Sequence, residues 1–289
     1  MTLSAGELEA VAKELEWYAS TQLPRQANSI YSHLDRALAV VADDRLGATL
    51  ALTTPHSSTC SLKGLATIDG PRITRCELTV SLPNHETGKR GRPATFKLVS
   101  NTFLPLPQIT DALLMCRRAL EATHRAQEGE HLIGDGTIDH SSSVSVSAAC
   151  EDLMRTMRII ESDLLAAKTR LEPSAAQTTA AAICHPASFE PPLPDDLLIE
   201  VTVRGSAVRV GVHALDLDYD PQASNVGHEN TGAAIITTSR GEQAAICDTA
   251  VIDAVVPALA DIVKELTGAL NVCRMALANL TALRMPLTV

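Results

Sequence analysis

Apolar residues recur at spacings of three and four along much of the chain, a pattern that predicts helices buried along one face. We predict helices over 4–41, 106–125, 148–171 and 248–283. Ser4 and Glu7 form a capping-box sequence at the start of the first helix. Pro24 is expected to kink or split that helix, because proline removes a backbone hydrogen bond and crowds the preceding turn.

The last predicted helix carries the most regular apolar stripe. The stripe comprises Ile252, Val256, Leu259, Val263, Leu266, Leu270, Cys273, Leu277 and Leu280. It passes through Pro257 without losing phase, which predicts a kink at this proline rather than a helix end. An exposed coiled-coil zipper would show the same spacing. We favour a bundle within the chain, because three other amphipathic segments need partners.

Between the helices the apolar period changes to two, which is typical of half-buried strands. Strands are predicted within 46–103, where Asp69-Gly70 provides a hairpin turn. A further hairpin is predicted around Arg240-Gly241. Residues 128–147 are polar and glycine-bearing, so we predict a flexible loop there.

The stretch 193–221 contains the most regular hairpin pattern, with Gly205-Ser206 as the central residues of a type II′ turn. This register places six apolar side chains on one face. It pairs Val203 with Val208, Val201 with Val210 and Ile199 with Val212. The opposite face is polar, and His213 on that face is expected to be an ordinary surface histidine.

The order of these segments predicts an α+β protein with two domains, one an antiparallel helical bundle and the other an antiparallel β-sheet domain. The helices at the two termini should pack together, so each domain is built from discontinuous segments. The bundle is predicted to comprise 1–45, 105–173 and 248–289, and the β domain 46–104 and 174–247.

Composition narrows the possible functions of this chain. Its net charge of −10 argues against broad phosphate binding, which needs a basic surface. The seven cysteines are scattered singly, which favours reduced thiols in the cytosol over a disulfide framework or a zinc site. No apolar run approaches the roughly 20 residues of a membrane span, and the N-terminus lacks the features of a signal peptide.

Asp216, Asp218 and Asp220 follow the regular hairpin and are the first candidates for chemistry. A strand that ends in Asp-x-Asp occurs in phosphoryl-transfer enzymes, which also need a lysine and further acids to hold magnesium. Lys264 is the only later lysine and lies in the predicted last helix. An aspartate-dependent phosphohydrolase is therefore the third and least favoured function. We assign no catalytic, cofactor-binding or metal-ligating residue and expect no enzyme.

A basic stretch, "GKRGRPAT" at 88–95, is similar to an AT-hook, in which arginines enter the narrow minor groove of A·T-rich DNA. Arg90 and Arg92 would be the groove-binding residues. The motif is short, occurs once and lies in an acidic chain, so a basic hairpin loop is the favoured interpretation. A nucleic-acid-associated adaptor that uses this loop remains the main alternative function.

Four stretches together resemble the Rogdi family, leucine-zipper-containing proteins of eukaryotes. They are "LEWYASTQLPRQANSIYSHLDRAL", "LKGLATIDGPRITRCELTVSLP", "LPDDLLIEVTVRGSAVRVGVHAL" and "AVVPALADIVKELTGALNVCRMAL". They occur in the family's order and correspond to its first helix, first hairpin, signature segment and last helix. The chain departs from the family in its high alanine content, its few aromatics and the insertions at 128–147 and in the KRGRP loop.

The resemblance implies a helical-bundle domain and a β domain, each assembled from separate segments. It also implies a non-enzymatic adaptor, because the fungal member is a subunit of the RAVE complex, which promotes V-ATPase assembly. Expected partners are a large β-propeller subunit of a RAVE-like complex and peripheral-sector subunits of the V-ATPase. The chain would be cytoplasmic and recruited to vacuolar or endosomal membranes through these partners, without inserting itself. The candidate partner surface comprises Asp216, Asp218, Asp220, Arg90 and Arg92.

Overall fold

The computed structural model describes residues 4–42, 46–55, 59–86, 92–127, 143–172, 182–218, 235–237 and 243–284. The chain divides into two compact units, each assembled from separated segments. The first unit comprises Met1–Asp43, Thr110–Leu171 and Ala260–Val289, and the second comprises Asp44–Ile109 and Glu172–Leu259. Helices dominate the first unit and antiparallel strands the second, which confirms the predicted α+β class.

Five α-helical segments are described. They are α1 (Ala5–Trp17), α2 (Leu23–Ala42), α3 (Pro107–Gln127), α4 (Ser143–Leu171) and α5 (Pro257–Arg284). The predicted capping box at the start of α1 is confirmed: the backbone N–H of Ser4 donates to Glu7 Oε2 at 2.8 Å, and the N–H of Glu7 donates to Ser4 Oγ. None of the described helices is long and apolar enough to cross a membrane.

A π-helical turn at Tyr18–Gln22 joins α1 to α2. It ends directly before Leu23, the residue that precedes Pro24. The N–H of Leu23 donates to the carbonyl of Tyr18, five residues back. Pro24 has no N–H to donate and its ring crowds the preceding turn, so the wider π-helical turn just before it gives the ring more room. The predicted interruption of the first helix is confirmed.

The apolar stripe of α4 is fully buried. It comprises Val146, Cys150, Leu153, Met157, Ile160, Leu164, Ala167 and Leu171. The prediction of a loop up to residue 147 is wrong for 143–147, where α4 has already begun. The serines there suggest a loop, but Val146 and Cys150 continue the stripe by one more turn, and their burial stabilises the helix. Residues 128–142 lie outside the described part of the chain.

The predicted start of the last helix at residue 248 is wrong. Residues up to Val255 belong to strand β11 (Gln243–Val255), and α5 begins at Pro257. Proline is favoured in the first turn of a helix, where its missing N–H has no partner to lose, and it holds the preceding residue in an extended conformation. Pro257 therefore starts the helix rather than kinking it, and the predicted domain boundary at 248 falls inside a strand.

Within α5 most of the predicted core positions are buried. Leu259, Leu266, Leu270, Cys273 and Leu280 are buried, whereas Val263 and Leu277 are only half-buried. Polar contacts join α5 to its neighbours: Glu265 forms an ion pair with Arg36 of α2 and lies 2.7 Å from His33 Nδ1, and Arg274 pairs with Glu161 of α4.

The second unit contains two antiparallel sheets. The described strands are β1 (Ala48–Thr53), β2 (Ser61–Asp69), β3 (Arg72–Ser81), β4 (Ala94–Leu98), β5 (Leu104–Pro105), β6 (Ala182–Ile183), β7 (Phe189–Glu190), β8 (Leu197–Arg204), β9 (Ala207–Asp216), β10 (Ile235–Thr237) and β11. In the first sheet the strand order is β1-β2-β3-β4-β7, with β5 also paired to β3. In the second sheet the order is β10-β11-β9-β8-β6.

The predicted register of the β8–β9 hairpin is confirmed. Val203 pairs with Val208, Val201 with Val210 and Ile199 with Val212, and all six side chains are buried. Gly205 has a φ of +59°, as the first central residue of a type II′ turn requires. The turn between β2 and β3 lies one residue later than predicted, at Gly70-Pro71. β10 and β11 form the second predicted hairpin, whose tip at Arg240-Gly241 lies outside the described residues.

Candidate interaction surfaces

The polar face of the β8–β9 hairpin carries a connected group of side chains. His213 on β9 lies 3.5 Å from the Glu200 carboxylate, measured from Nε2 to Oε1, and 3.1 Å from the hydroxyl of Thr249 on β11. Gly211 lies between Glu200 and His213, and a Cβ there would lie 2.9 Å from Glu200 Cγ and 2.9 Å from His213 Nε2. The absence of a side chain at residue 211 therefore lets the other two meet.

His213 is buried, with 8% of its surface exposed, so the prediction of an ordinary surface histidine is wrong. The alternation of the strand placed it correctly on the polar face, but Glu200 on β8 and Thr249 on β11 flank it there. Its interaction with the Glu200 carboxylate lowers the pKa of Glu200, against the opposite effect of partial burial. The pattern "VGVH" was the sequence signal for this arrangement, because glycine at mid-strand indicates a close approach.

A second pair on the same face joins β9 to β11. Arg209 Nε and Nη2 donate to the two oxygens of Asp253, each at 2.7 Å. This two-pronged geometry fixes both side chains. The hydrogen bond from Arg209 lowers the pKa of Asp253, and burial opposes it more weakly. Arg209 and Asp253 thus link the neighbouring strands β9 and β11 on this face.

The predicted acidic surface is described only in part. Asp216, the last residue of β9, and Asp218 are exposed, and the N–H of Asp218 donates to Asp216 Oδ1 at 3.1 Å. Such a bond is typical of the turn at a strand end. Asp220 lies outside the described residues. Within the described part of the chain, no group of three or more His, Cys, Asp or Glu side chains could hold a metal ion.

The residues before the basic loop are held in place by hydrogen bonds. Asn84 donates its backbone N–H and its amide Nδ2 to the two oxygens of Asp248 on β11, at 2.7 and 2.9 Å. Next to it, the buried His85 lies 3.0 Å from Asp196 Oδ1. Arg90 lies outside the described residues, and Arg92 is exposed two residues before β4. The loop interpretation is confirmed for the described ends of this stretch, and its role in binding stays a prediction.

The seven cysteines all lie in the described part of the chain and form no disulfide there, and five of them are buried. Burial raises the pKa of Cys76, Cys116, Cys184 and Cys273 to about 12. The exposed Cys247 also has a raised pKa, because of partial burial and the nearby Asp216 and Asp248. These environments hold the thiols in their unreactive protonated form.

The helical unit contains a cavity of about 420 Å³ between the π-helical turn and the end of α5. Glu14, Trp17, Tyr18, Gln22, Asn279 and Leu283 contribute to its lining. Trp17 is 53% exposed. The Tyr18 hydroxyl donates to Gln26 Oε1 at 2.6 Å and lies 3.3 Å from the carbonyl oxygen of Ala276 in α5. These contacts fix the wall of the cavity on both sides.

Sequence reasoning missed this cavity, because its walls come from the two ends of the chain. One local signal was present. Buried apolar residues follow one another at three or four positions along α1 and α2, except between Tyr18 and Leu23, where the interval is five. An interval of five fits the wider π-helical turn found here, and such turns are frequent at functional sites.

A family model described as "Rogdi leucine zipper containing protein" matches residues 14–244. The match includes three of the four stretches that carry the resemblance and ends before the fourth, which runs from the end of β11 into α5. None of the curated proteins matches the chain.

Proposed function

We propose that the chain, which belongs to the family of Rogdi leucine zipper containing proteins, is a non-enzymatic adaptor subunit of a complex that promotes V-ATPase assembly. Membership of this family is the observation that carries the proposal. The matched range covers residues of both compact units, so the likeness extends across the architecture and is not confined to one hairpin.

The polar surfaces of the second unit support an adaptor role. The side chains of Arg209 and Asp253, and those of Glu200 and His213, already contact one another on the three central strands of the second sheet, β8, β9 and β11. His213 is buried, and a general base must come within hydrogen-bond reach of the proton that it abstracts from a substrate. Arg209 and Asp253 stay partly exposed, so charged groups of a partner can still contact this pair.

We further propose that the partners are a large β-propeller subunit of a RAVE-like complex and peripheral-sector subunits of the V-ATPase. The chain would act in the cytoplasm and reach vacuolar or endosomal membranes through these partners. The exposed Asp216 and Asp218 are candidates for this contact, because a chain with net charge −10 favours partners with basic surfaces.

Affinity purification of the tagged full chain from its native organism tests this function. We expect propeller subunits and peripheral-sector V-ATPase subunits among the bound proteins. If Asp216 and Asp218 belong to the contact, Asp216→Lys combined with Asp218→Lys should reduce their recovery. Asp69→Lys, an equivalent change at another exposed strand end, should leave it intact.

Two results would contradict the proposal. One is a well-folded tagged chain that recovers neither class of subunit. The other is magnesium-dependent phosphatase turnover by the purified chain that disappears in Asp216→Asn, because this would place the chemistry on the strand end and make the protein an enzyme.

A further inference from the structure

The cavity between the π-helical turn and α5 is a preformed feature. Regular α-helix is interrupted at Tyr18–Gln22, and two residues of this turn, Tyr18 and Gln22, line the cavity. The buried Tyr18 hydroxyl is held by Gln26 and lies near the α5 backbone, so the widened turn is anchored to the opposite wall. At about 420 Å³ the cavity falls within the range of roughly 300–1,000 Å³ that ligand sites occupy.

The lining combines apolar, amide and acidic groups. Trp17 and Leu283 supply apolar surface, and Gln22 and Asn279 supply side-chain amides that can both donate and accept hydrogen bonds. Glu14 supplies a carboxylate that forms no ion pair with any residue that the structure describes. The described lining contains no lysine or arginine. The site therefore has one negative charge without a positive partner.

We infer that this cavity is a docking site for a basic peptide segment of a partner protein, which inserts an apolar side chain and places a Lys or Arg beside Glu14 and Trp17. Charge complementarity selects this occupant, since Glu14 has no ion-pair partner among the described residues and the chain as a whole carries a net charge of −10. A cation over the exposed face of a tryptophan is favoured as well. Asn279 already forms a side-chain hydrogen bond with Tyr18, but the Gln22 amide and the second hydrogen-bonding group of the Asn279 amide can pair with peptide backbone groups, which favours a peptide over an apolar small molecule.

Trp17 is the only tryptophan of the chain, so its fluorescence reports on this cavity alone. The purified full chain would be titrated with a synthetic amphipathic peptide that carries Leu on one helical face and Lys on the other. We expect saturable binding with a change in Trp17 emission. The same peptide with Glu in place of Lys should not bind, and the peptide with Ser in place of Leu should bind much more weakly.

Two variants with matched controls distinguish binding of the Lys peptide in the cavity from nonspecific attraction of a basic peptide to an acidic protein. Glu14→Gln should weaken binding of the Lys peptide about two- to fivefold, as expected for an exposed ion pair. Glu121→Gln, the same change at an exposed position of α3, should leave it unchanged. By calorimetry, Trp17→Ala should weaken binding roughly thirtyfold or more, as for an aromatic hot spot. Leu114→Ala, at a side chain that is also 53% exposed, should have no effect.

Several outcomes would overturn the inference. The Lys peptide could fail to bind, or the Glu peptide could bind as tightly as the Lys peptide. The cavity variants and their control variants could also lose the same amount of affinity for the Lys peptide. A response of Trp17 emission to a small organic cation but to neither peptide would assign the cavity to a small molecule and likewise overturn a peptide site. Far-ultraviolet circular dichroism verifies that each variant is folded. Because these measurements use the purified chain, they can fail without affecting the V-ATPase proposal, and the converse also holds.

Discussion

Gly211 permits the contact between Glu200 and His213 on the polar face of the second sheet. We expect Gly211→Ala to destabilise the protein, because the new Cβ would lie 2.9 Å from both Glu200 Cγ and His213 Nε2 and force at least one of them to move. Overpacking of this kind costs about 1–3 kcal/mol. Urea unfolding at neutral pH measures the difference in free energy.

Gly6 offers a matched control for that substitution. It lies in α1, and a Cβ there would meet nothing within 4 Å. Gly6→Ala should leave stability unchanged or raise it by up to about 1 kcal/mol, because alanine is a better helix former than glycine. If Gly211→Ala were as harmless as Gly6→Ala, the close approach of Glu200 and His213 across residue 211 would be wrong.

The pair between Arg209 and Asp253 predicts a pH dependence of stability. The hydrogen bond from Arg209 lowers the pKa of Asp253 below its ordinary value of 3.8, so the folded state favours the charged carboxylate more than the unfolded state does. The resulting stabilisation is fully present above that value and is lost as the pH falls through the lowered pKa. Because Asp253 is partly exposed, the effect should be modest and weakened by salt.

Urea unfolding from neutral pH to about pH 3 would compare the parent chain with Asp253→Asn. We expect the variant to be less stable at neutral pH and to lose less stability in acid. Asp35→Asn, which removes the same charge at an exposed position of α2, should follow the parent curve. Parallel acid curves for the parent and Asp253→Asn would show that the pair does not stabilise the folded state.

At the scale of elements, sequence pattern predicted the β8–β9 register correctly because its turn chemistry and apolar alternation agree. The sequence pattern gave the wrong start for the last helix, because the apolar spacings of a helix and of a strand overlap at the junction of β11 and α5. Ile252 and Val256 fit the helical stripe of α5, but Ala250, Ile252 and Ala254 also alternate at period two and are buried in the sheet. Pro257 resolves the ambiguity, since it belongs in a first helical turn and forces the residue before it to be extended.

The apolar stripe of α5 predicts a large cost for truncating its centre. Leu266 is fully buried, and Leu266→Ala should lower the free energy of unfolding by about 2–5 kcal/mol. Met275→Ala in the same helix is a matched control, because the Met275 side chain is about half exposed and should contribute little. Thermal unfolding followed by circular dichroism measures both variants.

The same variant separates a bundle within the chain from an exposed zipper. If Leu266 belongs to the chain's own core, the melting temperature should not depend on protein concentration. In contrast, a zipper between two chains would become more stable as concentration rises. Sedimentation that finds a concentration-dependent dimer, converted by Leu266→Ala into a folded monomer of unchanged stability, would contradict the core assignment.

At the scale of the whole molecule, the candidate cavity was beyond prediction from the sequence. Its walls come from residues 11–22 and 279–283, which are brought together only when α1 and α5 pack. Helical periodicity identifies the buried face of each helix but not which helices become neighbours. The acidic strand end and the basic loop were easier to find, because each is a local run of charge, yet local runs do not reveal which partner they contact.

The net charge of the chain predicts how it should bind DNA. Arg92 is exposed beside the AT-hook-like stretch, but the chain has a net charge of −10, and repulsion of phosphate opposes binding by one short basic loop. We expect weak, strongly salt-dependent binding with no preference for A·T-rich duplexes in fluorescence anisotropy. Arg92→Ala should change binding no more than Arg158→Ala, which removes an exposed arginine from α4. An A·T preference that persists at physiological salt and disappears only in Arg92→Ala would instead favour a nucleic-acid-associated adaptor, because minor-groove recognition requires those particular arginines.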